Sequence, residues 1–307
     1  MNTATMAAEK KRIIALGFFD GVHIGHSALL ERALDVAEKT GLIPSVITFD
    51  EHPISLVTGR ESELISSAED RAGLIERIFG IEDVIILHFD AETARMSWDV
   101  FVQHLIDEFG ARHLIAGHDF TFGYKGAGDA TKLAEKCLQT GIGCDIIPPV
   151  MYKGTLSSST FIRGLLKEGK IELANEYLGH PYVLTDYVHY GYKLGRTLGT
   201  PTINMCFSKG VLIPAHGVYA TRVHLANGAV EVGVTNIGTR PTVSGGDTAV
   251  TAETHILDYQ KNLYGRTVRL EFYTRIRPEK KFSGIDELRE QILADCDSVR
   301  KYFSEVK

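Results

Sequence analysis

Apolar and polar positions in the first half of the chain alternate between two periods. Short apolar runs of strand length, Arg12 to Phe19, Pro44 to Phe49, Asp83 to Phe89, His113 to Ala116 and Cys144 to Val150, are separated by stretches with apolar residues at helical spacing. A run that is apolar throughout suits a strand buried on both faces, and strand-helix alternation is how a parallel sheet with crossover helices reads. The pattern predicts an α/β domain over this half, with ligands beyond the carboxyl ends of its strands.

At Leu178-Gly179-His180-Pro181 the helical pattern stops with a glycine and a proline, and the period changes. Beyond it the strand-like segments are Tyr182 to Tyr190, Gly217 to Leu225, Ala229 to Thr235, Val250 to Leu257 and Val268 to Tyr273, with Asn227-Gly228 marking a hairpin. Many short strands joined by glycine turns predict a small closed β-barrel. A helix from Ile285 to Phe303 follows, its apolar stripe of Leu288, Ile292, Cys296, Val299 and Phe303 expected to pack on the barrel. The expected domains are residues 1–179 and 180–307.

Composition narrows the function classes. A chain of 307 residues with 44% hydrophobic residues suits two cores rather than one. A net charge of -6 without basic runs argues against nucleic acid and against anionic membrane surfaces, which leaves small molecules as partners. No stretch has the apolar length of a membrane span and the first residues have no apolar signal core, so a cytoplasmic chain is expected; the partner expectation is a monomer or weak homo-oligomer. Cys137, Cys144, Cys206 and Cys296 are scattered without Cys-x-x-Cys spacing and read as small apolar residues.

The densest chemistry lies in Gly17-Phe18-Phe19-Asp20-Gly21-Val22-His23-Ile24-Gly25-His26, between the first strand and a helix. Gly21 and Gly25 allow close backbone approach, and unpaired N–H groups at a helix start favour an anion such as phosphate. His23 and His26, three apart, can both point into one crevice and donate to the oxygens of a reacting phosphoryl group. Transfer of a nucleotidyl group needs mainly positioning and charge stabilisation.

Other segments add to this. His52 follows the second strand in Thr48-Phe49-Asp50-Glu51-His52-Pro53, as a turn residue or as the rim of a nucleotide crevice. In Leu156-Ser157-Ser158-Ser159-Thr160-Phe161-Ile162-Arg163, entering a helix that runs toward Leu178, the hydroxyls fit ordinary N-caps and also, with Arg163, a phosphate clamp. Gly191, Lys193, Gly195, Arg196 and Gly199 form a glycine-rich loop with two cations that can wrap a triphosphate or simply close a hairpin. Thr202 and Asn204, two apart on an extended segment, can present two neutral oxygens to Mg²⁺.

These motifs resemble those of the bacterial riboflavin kinase / FMN adenylyltransferase (FAD synthetase) family, from the His-x-Gly-His decapeptide through Gly117-His118-Asp119-Phe120-Thr121-Phe122-Gly123, Ser158-Ser159-Thr160-Phe161-Ile162-Arg163 and Gly195-Arg196-Thr197-Leu198-Gly199-Thr200-Pro201-Thr202-Ile203-Asn204 to Glu253-Thr254-His255. The resemblance implies a Rossmann-like nucleotidyltransferase domain that makes FAD and pyrophosphate from FMN and ATP, followed by a riboflavin-kinase barrel that makes FMN from riboflavin and ATP, both with Mg²⁺. It implies that Gly17, Phe18, Gly21, Gly25, His52, Asp119, Ser159 and Thr160 line the adenylyl-transfer site with His23, His26 and Arg163. In the barrel it makes Glu253 the general base and Thr202 and Asn204 the metal ligands. Retention of only one activity, or a flavin-binding sensor without catalysis, are the rival readings.

Overall fold

β1 (Arg12–Leu16), buried over its whole length, occupies the middle of a five-stranded parallel sheet with β2 (Ile43–Phe49), β3 (Asp83–Leu87), β4 (Ala111–Gly117) and β5 (Gly143–Ile147), in the order β3-β2-β1-β4-β5. The computed structural model describes residues 10–51, 63–190, 200–241 and 248–305. Two units are distinguished, Met1–Glu63 with Ser67–Ser158, and Leu64–Ser66 with Ser159–Lys307.

In the first unit the strands run parallel, and the crossovers carry α1 (Ile24–Thr40), α2 (Ala68–Phe79), α3 (Trp98–Asp107) and α4 (Ala130–Thr140). Local chemistry sets the helix ends: Ser67 Oγ accepts from Asp70 N at 3.0 Å and Asp129 Oδ1 from Lys132 N at 2.9 Å. Each such cap stabilises its helix by about 1 kcal/mol. Core side chains on one side of the sheet include Ile14, Leu16, Ile47, Phe101, Leu114 and Leu133. The order reverses between β1 and β4, so the crevice beyond their carboxyl ends is where a ligand fits in a sheet of this kind. A small hairpin of β6 (Met151–Tyr152) and β7 (Thr155–Leu156) follows.

The second unit begins with two helices where the sequence suggests one. α5 (Ser159–Lys167) and α6 (Ile171–Leu178) are separated by Gly169, whose φ is +74°. That left-handed backbone suits glycine, so Gly169 ends α5 locally.

Its sheet is antiparallel, in the order β8-β13-β10-β11-β12-β9, from β8 (Tyr182–Tyr187), β9 (Thr202–Cys206), β10 (Gly217–Leu225), β11 (Val230–Pro241), β12 (Thr248–Ile256) and β13 (Thr267–Pro278). Among the described residues the two edge strands meet through one antiparallel bridge, His189 to Asn204, so the expected barrel closes through a single contact rather than a ladder. Inside lie Tyr182, Tyr219 and Phe272, all at most 1% exposed. α7 (Ile285–Glu305) sets Cys296 and Val299 against Val218 and Val234, as its apolar stripe predicts.

Three buried threonines cross this sheet. Thr221 Oγ1 donates to Gly233 O at 3.0 Å, and Thr221, Thr235 and Thr254 are linked hydroxyl to hydroxyl at 2.8 Å each. A hydroxyl has one hydrogen, so Thr235 donates to Thr221 and Thr254 donates to Thr235.

Candidate functional site

At the carboxyl end of β1 the backbone turns left-handed at three of four positions, with Phe19 at φ 54°, Gly21 at 75° and Val22 at 44°. Left-handed φ is costly for phenylalanine and more so for a β-branched valine, and the tight turn it produces delivers His23 to the first turn of α1. His23 is the N-cap, its Nδ1 accepting from Gly25 N at 3.1 Å. The neutral ring therefore carries its proton on Nε2. His23 O also accepts from His26 N at 2.7 Å and Ser27 N at 3.0 Å. Two of the amides that the sequence leaves to an anion, those of Gly25 and His26, are thus taken by His23 itself.

His26 stacks on His23 with ring centroids 3.7 Å apart, and its Nδ1 is buried without a hydrogen-bond partner. Burial, then the neighbouring His23, then Arg71 hold its pKa well below the usual 6.5, so the ring is neutral at neutral pH. Gly25 is required here, because a Cβ would stand 2.9 Å from His23 Cε1 and 3.2 Å from Ser157 O.

Arg71 is a candidate site residue that sequence reasoning missed. It is wholly buried, donating from Nη1 to Phe18 O at 3.2 Å and from Nη2 to Phe49 O at 2.6 Å, with its guanidinium 4.1 Å from the Phe18 ring centre. It ties the ends of β1 and β2 together beneath the histidine loop. Burial lowers its pKa to about 10, against the opposing pull of Asp20 first among nearby carboxylates, so it stays charged. The signal was present: Arg71, Leu74 and Ile75 have the i, i+3, i+4 spacing of one buried face, and an arginine there needs a reason.

Gly17 precedes the loop, and a Cβ on it would come 3.0 Å from the Phe19 ring. Asp119, just past β4 on the other side of the order reversal, is exposed, its Oδ1 3.9 Å from His118 Nδ1. Ser159, Thr160 and Arg163 lie on α5 in the second unit, where Arg163 Nη2 donates to Thr160 Oγ1 at 3.1 Å. His52 and the loop residues Gly191, Lys193, Gly195, Arg196 and Gly199 lie outside the described residues.

In the second unit the strand register assembles a row. Asn204 of β9 faces Glu253 of β12, which faces Asn236 of β11, which faces Val218 of β10, which faces Arg277 of β13. Opposed residues share a face, and Thr202, opposite His255 and two residues before Asn204, joins the same side. Asn204 is 5% exposed and its Oδ1 is buried with no hydrogen-bond partner, an acceptor that a cation would satisfy. Beside the row is a cavity of about 230 Å³ lined by Thr202, Asn236, Glu253, His255, Arg277 and Asp295, among others. Arg277 and Asp295 form a two-pronged ion pair there, with nitrogen–oxygen distances of 2.8 to 3.1 Å. The sequence reading selected Thr202, Asn204 and Glu253 from this face but not Asn236, His255, Arg277 or Asp295.

Paired histidines at the order reversal of a parallel sheet, and an amide–carboxylate–amide row on an antiparallel one, define a two-part protein of the nucleotide-transferring class. Residues 5–161 match the family described as FAD synthetase and residues 178–303 the family described as riboflavin kinase. The chain is 37% identical over 303 residues to the bifunctional riboflavin kinase/FMN adenylyltransferase of Bacillus subtilis (strain 168), covering 97% of this chain and 95% of that protein. It is 31% identical over 309 residues to the Escherichia coli (strain K12) protein of the same name, covering 100% and 97%. A solved structure from Streptococcus pneumoniae, described as a macrolide-efflux protein, matches with a TM-score of 0.81 at 29% identity, covering 95% of this chain and 94% of that one. The chain belongs to the bifunctional riboflavin kinase/FMN adenylyltransferase family. No described helix is long and apolar enough to cross a membrane.

Proposed function

We propose that the chain phosphorylates riboflavin to FMN in its second unit and transfers the adenylyl group of ATP to FMN in its first, giving FAD and pyrophosphate. The observation that supports this most strongly is the presence of both chemistries in one chain: the stacked neutral His23 and His26 at the order reversal, and Glu253 set opposite Asn204.

For the kinase half, Glu253 takes the proton from the ribityl 5′-hydroxyl as that oxygen attacks the γ-phosphorus of ATP. Thr202 and Asn204 would hold Mg²⁺ through neutral oxygens, and the cation would shield phosphate charge. The cavity beside the row is apolar along Val218, Leu288 and Ile292 and polar along Arg277 and Asp295, which suits a flat heteroaromatic ring with polar edges.

For the adenylyl-transfer half, the FMN phosphate attacks the α-phosphorus of ATP and pyrophosphate leaves. His23, with its proton on Nε2, and the neutral His26 donate to the oxygens on which negative charge grows. Arg163, with Ser159 and Thr160, is assigned to phosphate by its sequence motif alone, Arg being suited to bidentate contact. Dependence on ATP for both steps fits a cytoplasmic enzyme.

The test is a time course with purified chain, riboflavin, Mg²⁺ and excess ATP, resolving riboflavin, FMN and FAD by chromatography. FMN that rises and then yields to FAD is the expected result. If neither product forms, the proposal fails; FMN that persists would leave a kinase alone.

A further inference from the structure

The seam where β8 comes back to β9 gathers three side chains that the flavin chemistry does not use. Asp186, His189 and Cys206 each offer a metal-ligating atom, and the three atoms lie within 4.8 Å of one another. Asp186 Oδ2 already joins the other two, accepting from the Cys206 backbone N–H at 2.7 Å and pairing with His189 Nε2 at 2.9 Å. Each residue sits at a fixed place in the sheet: Asp186 opposite Val268 of β13, Cys206 opposite Thr251 of β12, and His189 opposite Asn204. Cys206 is also the exposed member of the four cysteines, which contradicts the reading of all four as small apolar residues.

We propose that Asp186, His189 and Cys206 bind a borderline divalent cation, of which Zn²⁺ is the type, at this seam. The donor set decides the class. Mg²⁺ takes oxygen ligands, whereas a thiolate, an imidazole and a carboxylate together suit Zn²⁺, with three protein ligands leaving a fourth position for water. On binding, the Cys206 thiol loses its proton to solvent, and the thiolate and carboxylate then balance the two positive charges. The bound cation braces a seam that the described backbone closes at one bridge. It does so two residues from Asn204 on the same strand.

The test is a titration of Co²⁺, a spectroscopic stand-in for Zn²⁺, into full-length chain stripped with chelator, in the absence of ATP. A sulfur-to-cobalt charge-transfer band should grow, saturate at one cation per chain and vanish when Zn²⁺ is added. Cys206→Ser should abolish the band with unchanged circular dichroism, and His189→Ala should weaken Co²⁺ binding about tenfold or more. Absence of the band in the wild-type chain, its persistence in Cys206→Ser, or its displacement by an equal concentration of Mg²⁺ would overturn the site. A second measurement needs no variant: Zn²⁺ should slow alkylation of Cys206 in the wild-type chain, read by mass spectrometry, and an unchanged rate also overturns it.

Discussion

The imidazoles of His23 and His26 lie face to face, with centroids 3.7 Å apart and an interplanar angle of 19°. Two imidazolium ions would repel strongly at that distance where water is largely excluded, so the pair is built to act neutral. The fold enforces this twice, through the Gly25 N–H on His23 Nδ1 and through the buried Nδ1 of the partly exposed His26 ring beside Arg71.

This arrangement makes stability depend on pH in a definite direction. The folded pKa of His26 lies below its unfolded value, so the unfolded chain takes up a proton first as pH falls. His26 has no effect on stability above about pH 7; below about pH 6.5 it lowers stability, with a slope of at most about 1.4 kcal/mol per pH unit, until its folded pKa is reached. Urea unfolding at a series of pH values should show a shallower decline in His26→Gln than in the wild-type chain. Parallel declines would mean that His26 is not held neutral.

Gly25→Ala should damage adenylyl transfer by a purely steric route. The new Cβ, 2.9 Å from His23 Cε1, pushes the capping ring out of place. A misplacement of about 1 Å at a reacting centre costs about a hundredfold in rate, and a smaller shift correspondingly less. FAD formation from supplied FMN should fall accordingly while FMN formation from riboflavin persists.

Arg71→Met keeps the length of the side chain and removes its donors. Phe18 O keeps the Thr48 hydroxyl that donates to it at 2.8 Å, whereas Phe49 O loses its charged partner inside the core. An unsatisfied buried carbonyl costs about 1–3 kcal/mol, so a loss of that size is expected in the unfolding transition of the first unit, with FAD formation impaired. A variant as stable as the wild type would show that Phe49 O finds another donor.

Glu253→Gln preserves shape but cannot take a proton. FMN formation should drop by about 10²–10⁴-fold, with FAD formation from supplied FMN unaffected. If the two activities fell together, the assignment of one reaction to each unit would be wrong.

Asp295→Ala leaves the Arg277 guanidinium beside the cavity without its two-pronged partner. Loss of one side of a buried pair costs about 3–5 kcal/mol, and the 20% exposure of Arg277 places this case toward the low end. Thermal unfolding should shift down and the KM for riboflavin should rise.

Much of this architecture was legible in the sequence. The apolar runs at Ile13, Val46 and Leu114 mark strands buried on both faces, and the two glycines around His23 mark the turn that the structure builds. What escaped depends on distances between residues far apart in the chain. β9 was read only as an extended segment, since five residues carrying Thr202, Asn204 and Cys206 on one side show a polar face without an apolar one strong enough to signal a strand. Arg71 is charged, and charge ordinarily marks surface; only the two carbonyls it meets explain its burial. The amides at the start of α1 looked open because no sequence rule says that the preceding histidine will cap them.

The hydroxyl chain through Thr221, Thr235 and Thr254 acts on the second unit as a ratchet does on a shaft. Its hydrogens all point one way, ending on Gly233 O, so β10, β11 and β12 fit together in one alignment. Thr254 is flanked by Glu253 and His255, and a slip of β12 by one residue would turn both to the opposite side of the sheet. A carboxylate beside Ile203 and Met205 in place of a hydroxyl would have no route to water. Three side chains that touch no substrate thereby decide on which side of the sheet a proton can be accepted.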